Sequence, residues 1–297
     1  MSSEKSMTIK RIVLFTVLTV VITWAVFMLV PALGLAYGSG MSIIIVAAGM
    51  FVPALGSILT RLITKEGFRK MYLRPNFKGH GKAYLVLFFG PTLLILLGMG
   101  VYFLIFPGTF DPELTMIQKM SQAAAGLTPT TLLLVSVAQV AVIGPIINII
   151  PTMGEELGWR GYLLPKLREI FPDRKALIIT GVIWGLWHLP VIVMGHNYGT
   201  GYVGYPWLGI LMMTVFCVSL GIIEGYATIK LDSAIPAAMI HSTVNAGAGL
   251  PVLFAKSGYN ALLGPSITGL VGGIPFFICA VILFIKIGGK NASRREA

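Results

Sequence analysis

The chain has 297 residues, 56% of them hydrophobic and only 11% charged, with a mean hydropathy of +0.86. Soluble domains carry about 25% charged residues, so this composition excludes an ordinary soluble domain and indicates a polytopic membrane protein. The formal net charge of +11 does not indicate nucleic acid, because the lysines and arginines cluster between apolar stretches, as topology determinants do. Neither Cys217 nor Cys279 belongs to a Cys-x-x-Cys pair, so no disulfide framework and no thiolate metal site are expected.

Residues 1–11 are polar and basic, with Lys5, Lys10 and Arg11. The apolar run after them lacks a small-residue cleavage site, so it reads as a retained first span, 12–30, and not as a signal peptide. A short uncharged turn leads to a second span, 41–59, and then to a loop from Arg61 to Lys82 with seven lysines or arginines. The third span is 83–106, followed by a loop with Asp111, Glu113 and Lys119. The fourth apolar stretch, 131–164, has 34 residues, whereas one crossing needs about 20. Pro145 and Pro151 interrupt it, which leaves open a kinked long helix or a short segment feeding a helix near Ile146. Further spans are expected at 176–194, 207–229, 234–254 and 262–285, before a basic tail with Lys286, Lys290, Arg294 and Arg295.

The expectation is therefore an all-α bundle of about eight spans forming one domain, 1–297, in the cell membrane. With the N-terminus inside, 19 of the 22 basic side chains are cytoplasmic. Lys119 and Lys256 alone face out, and Arg160 lies within a span. The positive-inside rule then puts both termini in the cytoplasm.

Charged groups in hydrocarbon cost several kcal/mol and mark functional sites. The stretch Gly154-Glu155-Glu156-Leu157-Gly158-Trp159-Arg160-Gly161 holds two acids and a guanidinium. On a helix, Glu156 and Arg160 are i,i+4 neighbours in the favourable order for an ion pair. Glu155 projects about 100° further round, away from that partner. Two of the four histidines also lie deep in apolar stretches. His188 follows Trp184 by one turn, and His241 shares a helical face with Asn245. Glu155 is 11 residues from Lys166, His188 is 13 from Lys175 and His241 is 11 from Lys230. At about 1.5 Å per residue, three helices bring a carboxylate and two imidazoles to one level, about 16–20 Å from the same side.

The order Glu-Glu-x-x-x-Arg, aromatic-x-x-x-His and His-x-x-x-Asn, each on its own helix, resembles the CPBP intramembrane proteases, which include the type II CAAX prenyl endopeptidases. The resemblance covers about 146–245. It departs at Trp184, where the family usually has Phe, and at Leu231-Asp232-Ser233, where relatives more often have Thr-Gly-Ser. The resemblance implies an intramembrane endopeptidase with its site between the fourth, fifth and seventh spans, acting on membrane-tethered or lipidated, CAAX-type prenylated peptides. It implies that Glu155 and His188 activate water while His241 and Asn245 stabilise the oxyanion. Glu156 and Arg160 would support the motif helix.

Peptide hydrolysis needs such a base and such donors. A zinc version, with His188 and His241 as ligands and Glu155 as base or third ligand, is the competing chemistry; no His-Glu-x-x-His helix is present, and metal-free catalysis is the preferred reading. A proton-coupled transporter and a non-catalytic immunity or scaffold protein are the other readings, but a transporter's paired halves are not found. Glu224 reads as an interhelical hydrogen-bond partner before a proton relay. His80 and His196 read as outside the site.

Overall fold

The computed structural model describes residues 3–123 and 128–293, and among these it is helical without a strand. The tail residues Arg294 and Arg295 lie outside the described part. The helices are α1 (Ser3–Ala32), α2 (Gly40–Gly49), α3 (Val52–Ile63), α4 (Gly81–Ile105), α5 (Thr115–Ala123) and α6 (Thr130–Ile170). They continue with α7 (Asp173–Trp187), α8 (Leu189–Val193), α9 (Trp207–Leu231), α10 (Ile235–Gly247) and α11 (Ile274–Ser293). Among the described residues, six segments are long and apolar enough to cross a membrane: α1, α2 with α3, α4, α6, α9, and α10 with the turn after it. The chain is a multi-pass membrane protein. Its outer surface agrees, since Leu134, Ile146, Ile147 and Ile150 of α6 are all more than half exposed, and hydrocarbon is as apolar as these side chains.

The fourth apolar stretch is one 41-residue helix, α6. It is interrupted by two π turns, at 139–143 and 159–163. Each ends two residues before a proline, Pro145 and Pro165. Proline cannot donate the helical hydrogen bond, and its ring crowds the carbonyl one turn back. A wider turn at that point relieves the clash without ending the helix.

Two expected spans have different boundaries. The fifth breaks at His188, which ends α7, because Pro190 cannot donate back into the preceding turn and a new short helix starts instead. The eighth starts at Ile274 and not near 262. Gly264-Pro265 and the glycines at 269, 272 and 273 disfavour a helix before it. Arg61, expected in a loop, is instead buried in the last turn of α3 at 4% exposure. Its guanidinium donates to the carbonyls of Gly67 and Arg69, at 3.0 and 3.3 Å, and shapes the loop that follows.

The helix α6 lies against α3 and α10, while α9 lies against α7, α10 and α11. Gly158 permits the first contact: a Cβ there would sit 2.4 Å from that of Pro53. At the basic end, Glu66 ties α1, α3 and α6 together. It receives Lys166 at 2.7 Å, Arg11 at 3.5 Å and the Tyr162 hydroxyl at 2.9 Å. The unusual turn before α10 is also accounted for. Asp232 takes the left-handed conformation, φ 48°, which Gly adopts freely and Asp tolerates. Asn76 holds that turn by donating to the Leu231 carbonyl at 2.7 Å.

Candidate active site

The two adjacent acids of α6 diverge, as helical geometry requires. Both are buried, Glu155 at 2% and Glu156 at 0% exposure. Glu156 Oε1 accepts from Arg160 Nη1 at 2.7 Å, one turn on. The same oxygen accepts from His241 Nδ1 at 2.9 Å, across from α10. Glu155 takes no part in this pair, but it is not free. Its Oε2 accepts from the indole N–H of Trp184 at 2.9 Å and, more distantly, of Trp159 at 3.4 Å. The tryptophan that stands in for the usual phenylalanine therefore supplies a donor that phenylalanine lacks.

The imidazole tautomers follow from their partners. His188 Nδ1 lies 2.9 Å from the Trp184 carbonyl, which only accepts, so Nδ1 carries the proton and Nε2 is the acceptor. His241 Nδ1 faces a carboxylate and carries a proton by the same argument. Trp184 lies between the two rings, with centroids 5.9 Å from His188 and 5.2 Å from His241. The Arg160 guanidinium packs on its face at 4.4 Å.

Glu155, His188, His241 and Asn245 line one cavity of about 190 Å³, whose remaining walls include Phe27, Met50, Met213 and Phe216. The first three are buried; Asn245, one turn beyond His241 on α10, is exposed. A buried carboxylate, two imidazoles and a carboxamide thus share a space the size of a few side chains.

Sequence reading missed one residue here, His196, and did not name the partner of another, Glu224. His196 lies beyond the fifth span, but it lines the cavity, with its ring parallel to that of His188 at 6.3 Å. Its Nδ1 is held by the Tyr37 hydroxyl at 2.5 Å. Gly195 and Asn197 on either side have positive φ, 98° and 64°, and turn the loop inward. Glu224, completely buried on α9, pairs with Arg160 Nη2 at 2.5 Å, so its interhelical role has a charged partner. Its signal was an acid alone in an apolar span. His80 bonds its own loop, through the Asn76 carbonyl.

The donor geometry does not match the zinc alternative. Among the described residues, ligand atoms close within 4.8 Å of one another at Glu156, Glu224 and His241. Glu155, His188 and His241 do not form such a group. The group that does form already holds a cation, because Arg160 reaches both of its carboxylates.

Residues 130–247 match the family described as Rce1-like, type II CAAX prenyl endopeptidase Rce1-like. The chain is also similar to CAAX prenyl protease 2 of Methanococcus maripaludis, at 34% identity over 93 residues. That match covers 31% of this chain and 34% of the relative, so the chain spans about a third of the length of the curated relative it matches. All three motifs fall within 130–247, the segment that matches the Rce1-like family description.

Proposed function

We propose that the protein is an intramembrane endopeptidase that hydrolyses a peptide bond in membrane-tethered or lipidated, CAAX-type prenylated peptides. One observation carries this reading: the four motif side chains, from three helices, line a single cavity walled by apolar residues. A lipidated peptide suits such a space, with hydrocarbon at its flanks and a few placed polar groups inside.

Glu155 is the general base that takes a proton from water, and its indole donors hold it toward the cavity. His188, protonated at Nδ1, offers Nε2 as a second acceptor that fixes the water beside the carboxylate. As water attacks the scissile carbonyl, negative charge gathers on its oxygen. Asn245 and His241, the latter as an imidazolium whose Nδ1–H stays on Glu156 while its Nε2–H is free to donate, stabilise that oxygen from one turn apart on α10. The proton held by Glu155 then passes to the departing amine. Glu156 and Arg160 touch no substrate; they fix the imidazole of His241 and the indole of Trp184. Both termini face the cytoplasm, by the distribution of basic residues.

The test uses the purified full-length protein with a prenylated CAAX peptide. Wild type cleaves, Glu155→Gln is folded but inactive, and dialysis against chelator leaves activity intact. Full activity of Glu155→Gln overturns the general-base role, since an amide does not accept the proton. Activity that vanishes on chelation and returns with zinc overturns metal-free chemistry.

A further inference from the structure

Glu224 belongs to none of the three motifs and does not line the cavity. It is nevertheless completely buried, beside a guanidinium that is itself completely buried. An arginine normally presents two parallel N–H groups to one carboxylate. Here the fork is divided. Nη1 donates to Glu156 Oε1 at 2.7 Å, while Nη2 stands 2.5 Å from Glu224 Oε2 as an ion pair without the alignment of a hydrogen bond. Gly221 makes room for the second prong, as a Cβ there would stand 3.1 Å from Nη2. Trp184 holds the face of the guanidinium at 4.4 Å.

This division has a consequence at Glu156. Its Oε1 serves both Arg160 and His241, while its Oε2 is buried and has no hydrogen-bond partner. Without a charge at 224, Nη2 has one anionic oxygen left to turn to, the unused Oε2. The fork would then close on Glu156 alone, the carboxylate would rotate to meet it, and Oε1 would leave His241 Nδ1. We infer that Glu224 is a positioning residue for His241: by holding one prong of Arg160, it keeps Glu156 on the imidazole. The inference rests on the proteolytic reading for what His241 does, but not for how His241 is held. A metal ion at Glu156, Glu224 and His241 is the competing use of the same three residues, whose two carboxylates already pair with Arg160.

The experiment compares full-length wild type with Glu224→Gln by steady-state cleavage of a prenylated CAAX peptide. The turnover number should fall about tenfold, the size of the loss when a group that orients a metal-bound histidine is removed. KM should not change, because Glu224 does not touch the cavity. In a His241→Ala background the same substitution should have no further effect. A merely structural role would instead lower activity equally in both backgrounds, and that result overturns the inference, as does unchanged turnover. A second readout is independent of cleavage: nitrogen-15 NMR of histidine-labelled protein in detergent. The Nδ1–H signal of His241, hydrogen-bonded to a carboxylate, should move in Glu224→Gln, and an unmoved signal overturns the assignment. A wild type that cleaves nothing sinks the proteolytic reading alone, and the NMR comparison still decides this one. Should Glu224→Gln not fold, Gly221→Ala presses on Nη2 without removing charge and should move the same signal.

Discussion

Arg160→Met tests the buried charge count directly. Among the described residues, the Arg160 guanidinium pairs with both Glu156 and Glu224, and all three side chains are at 0% exposure. Methionine keeps much of the stem volume, so the main loss is charge. Two carboxylates would remain, with oxygens within 4.8 Å of each other and of a His241 nitrogen. Leaving a buried charge without its partner costs about 3–5 kcal/mol, and the lost stacking on Trp184 adds about 1–2 kcal/mol. A total of about 5 kcal/mol should lower the melting temperature by about 10 °C or more. The triple variant Glu156→Gln, Arg160→Met, Glu224→Gln removes every charge of the cluster and should recover most of that loss, because neutral replacement of a whole buried ion group is close to neutral in energy. Thermal unfolding of the detergent-solubilised protein measures both. A single variant that melts within 2 °C of wild type, or a triple variant less stable than the single one, would refute the argument that unbalanced charge sets the cost.

Asn245→Ala should lower turnover about 10²–10³-fold, as loss of one oxyanion donor does, with substrate binding nearly unchanged; a rise in KM at constant turnover would point to substrate binding instead. Gly158→Ala puts a methyl group 2.4 Å from the Pro53 Cβ and should destabilise by about 1–3 kcal/mol, read by the same melting assay. Cysteines placed at the exposed Lys78 and Lys256 report topology in intact cells: an impermeant reagent should label the second and not the first. At Glu66, burial acts to raise the pKa, but hydrogen bonds from Lys166 and Tyr162 and the charges of Lys166 and Arg11 outweigh it and bring the value below the ordinary 4.5. The carboxylate therefore stabilises the fold above about pH 4.5, and that stability is lost as pH falls through its lower folded value; Glu66→Gln should melt lower at neutral pH and show a flatter acid limb.

The helical class and the motif residues were legible because ionised groups stand out in an apolar chain. Glu155, Glu156, Arg160, His188 and His241 needed only hydropathy and spacing to be found. Their pairing needed more. His241 chooses Glu156 and not Glu155 across 85 residues of sequence, and the choice depends on how α10 is rotated against α6. Glu224 was visible as an anomaly, yet nothing local reveals that it shares Arg160. His196 was set aside for lying past a span, whereas two positive-φ neighbours fold it back. The effect of tryptophan at 184 was hidden for the same reason: its value lies in one N–H aimed at another helix.

The π turn at 159–163 separates two jobs within α6. On its N-terminal side, Glu155 and Glu156 face the cavity and His241. On or beyond it, Tyr162 and Lys166 reach Glu66 at the basic end. A π turn amounts to one residue inserted into an α-helix, which offsets everything after it by about 100°. Removing Gly161 would thus leave Glu155 and Glu156 in their present phase and swing Tyr162 and Lys166 away from Glu66. The helix has two reading frames, one for the cavity and one for the anchor, and the extra residue lets each be fitted without disturbing the other.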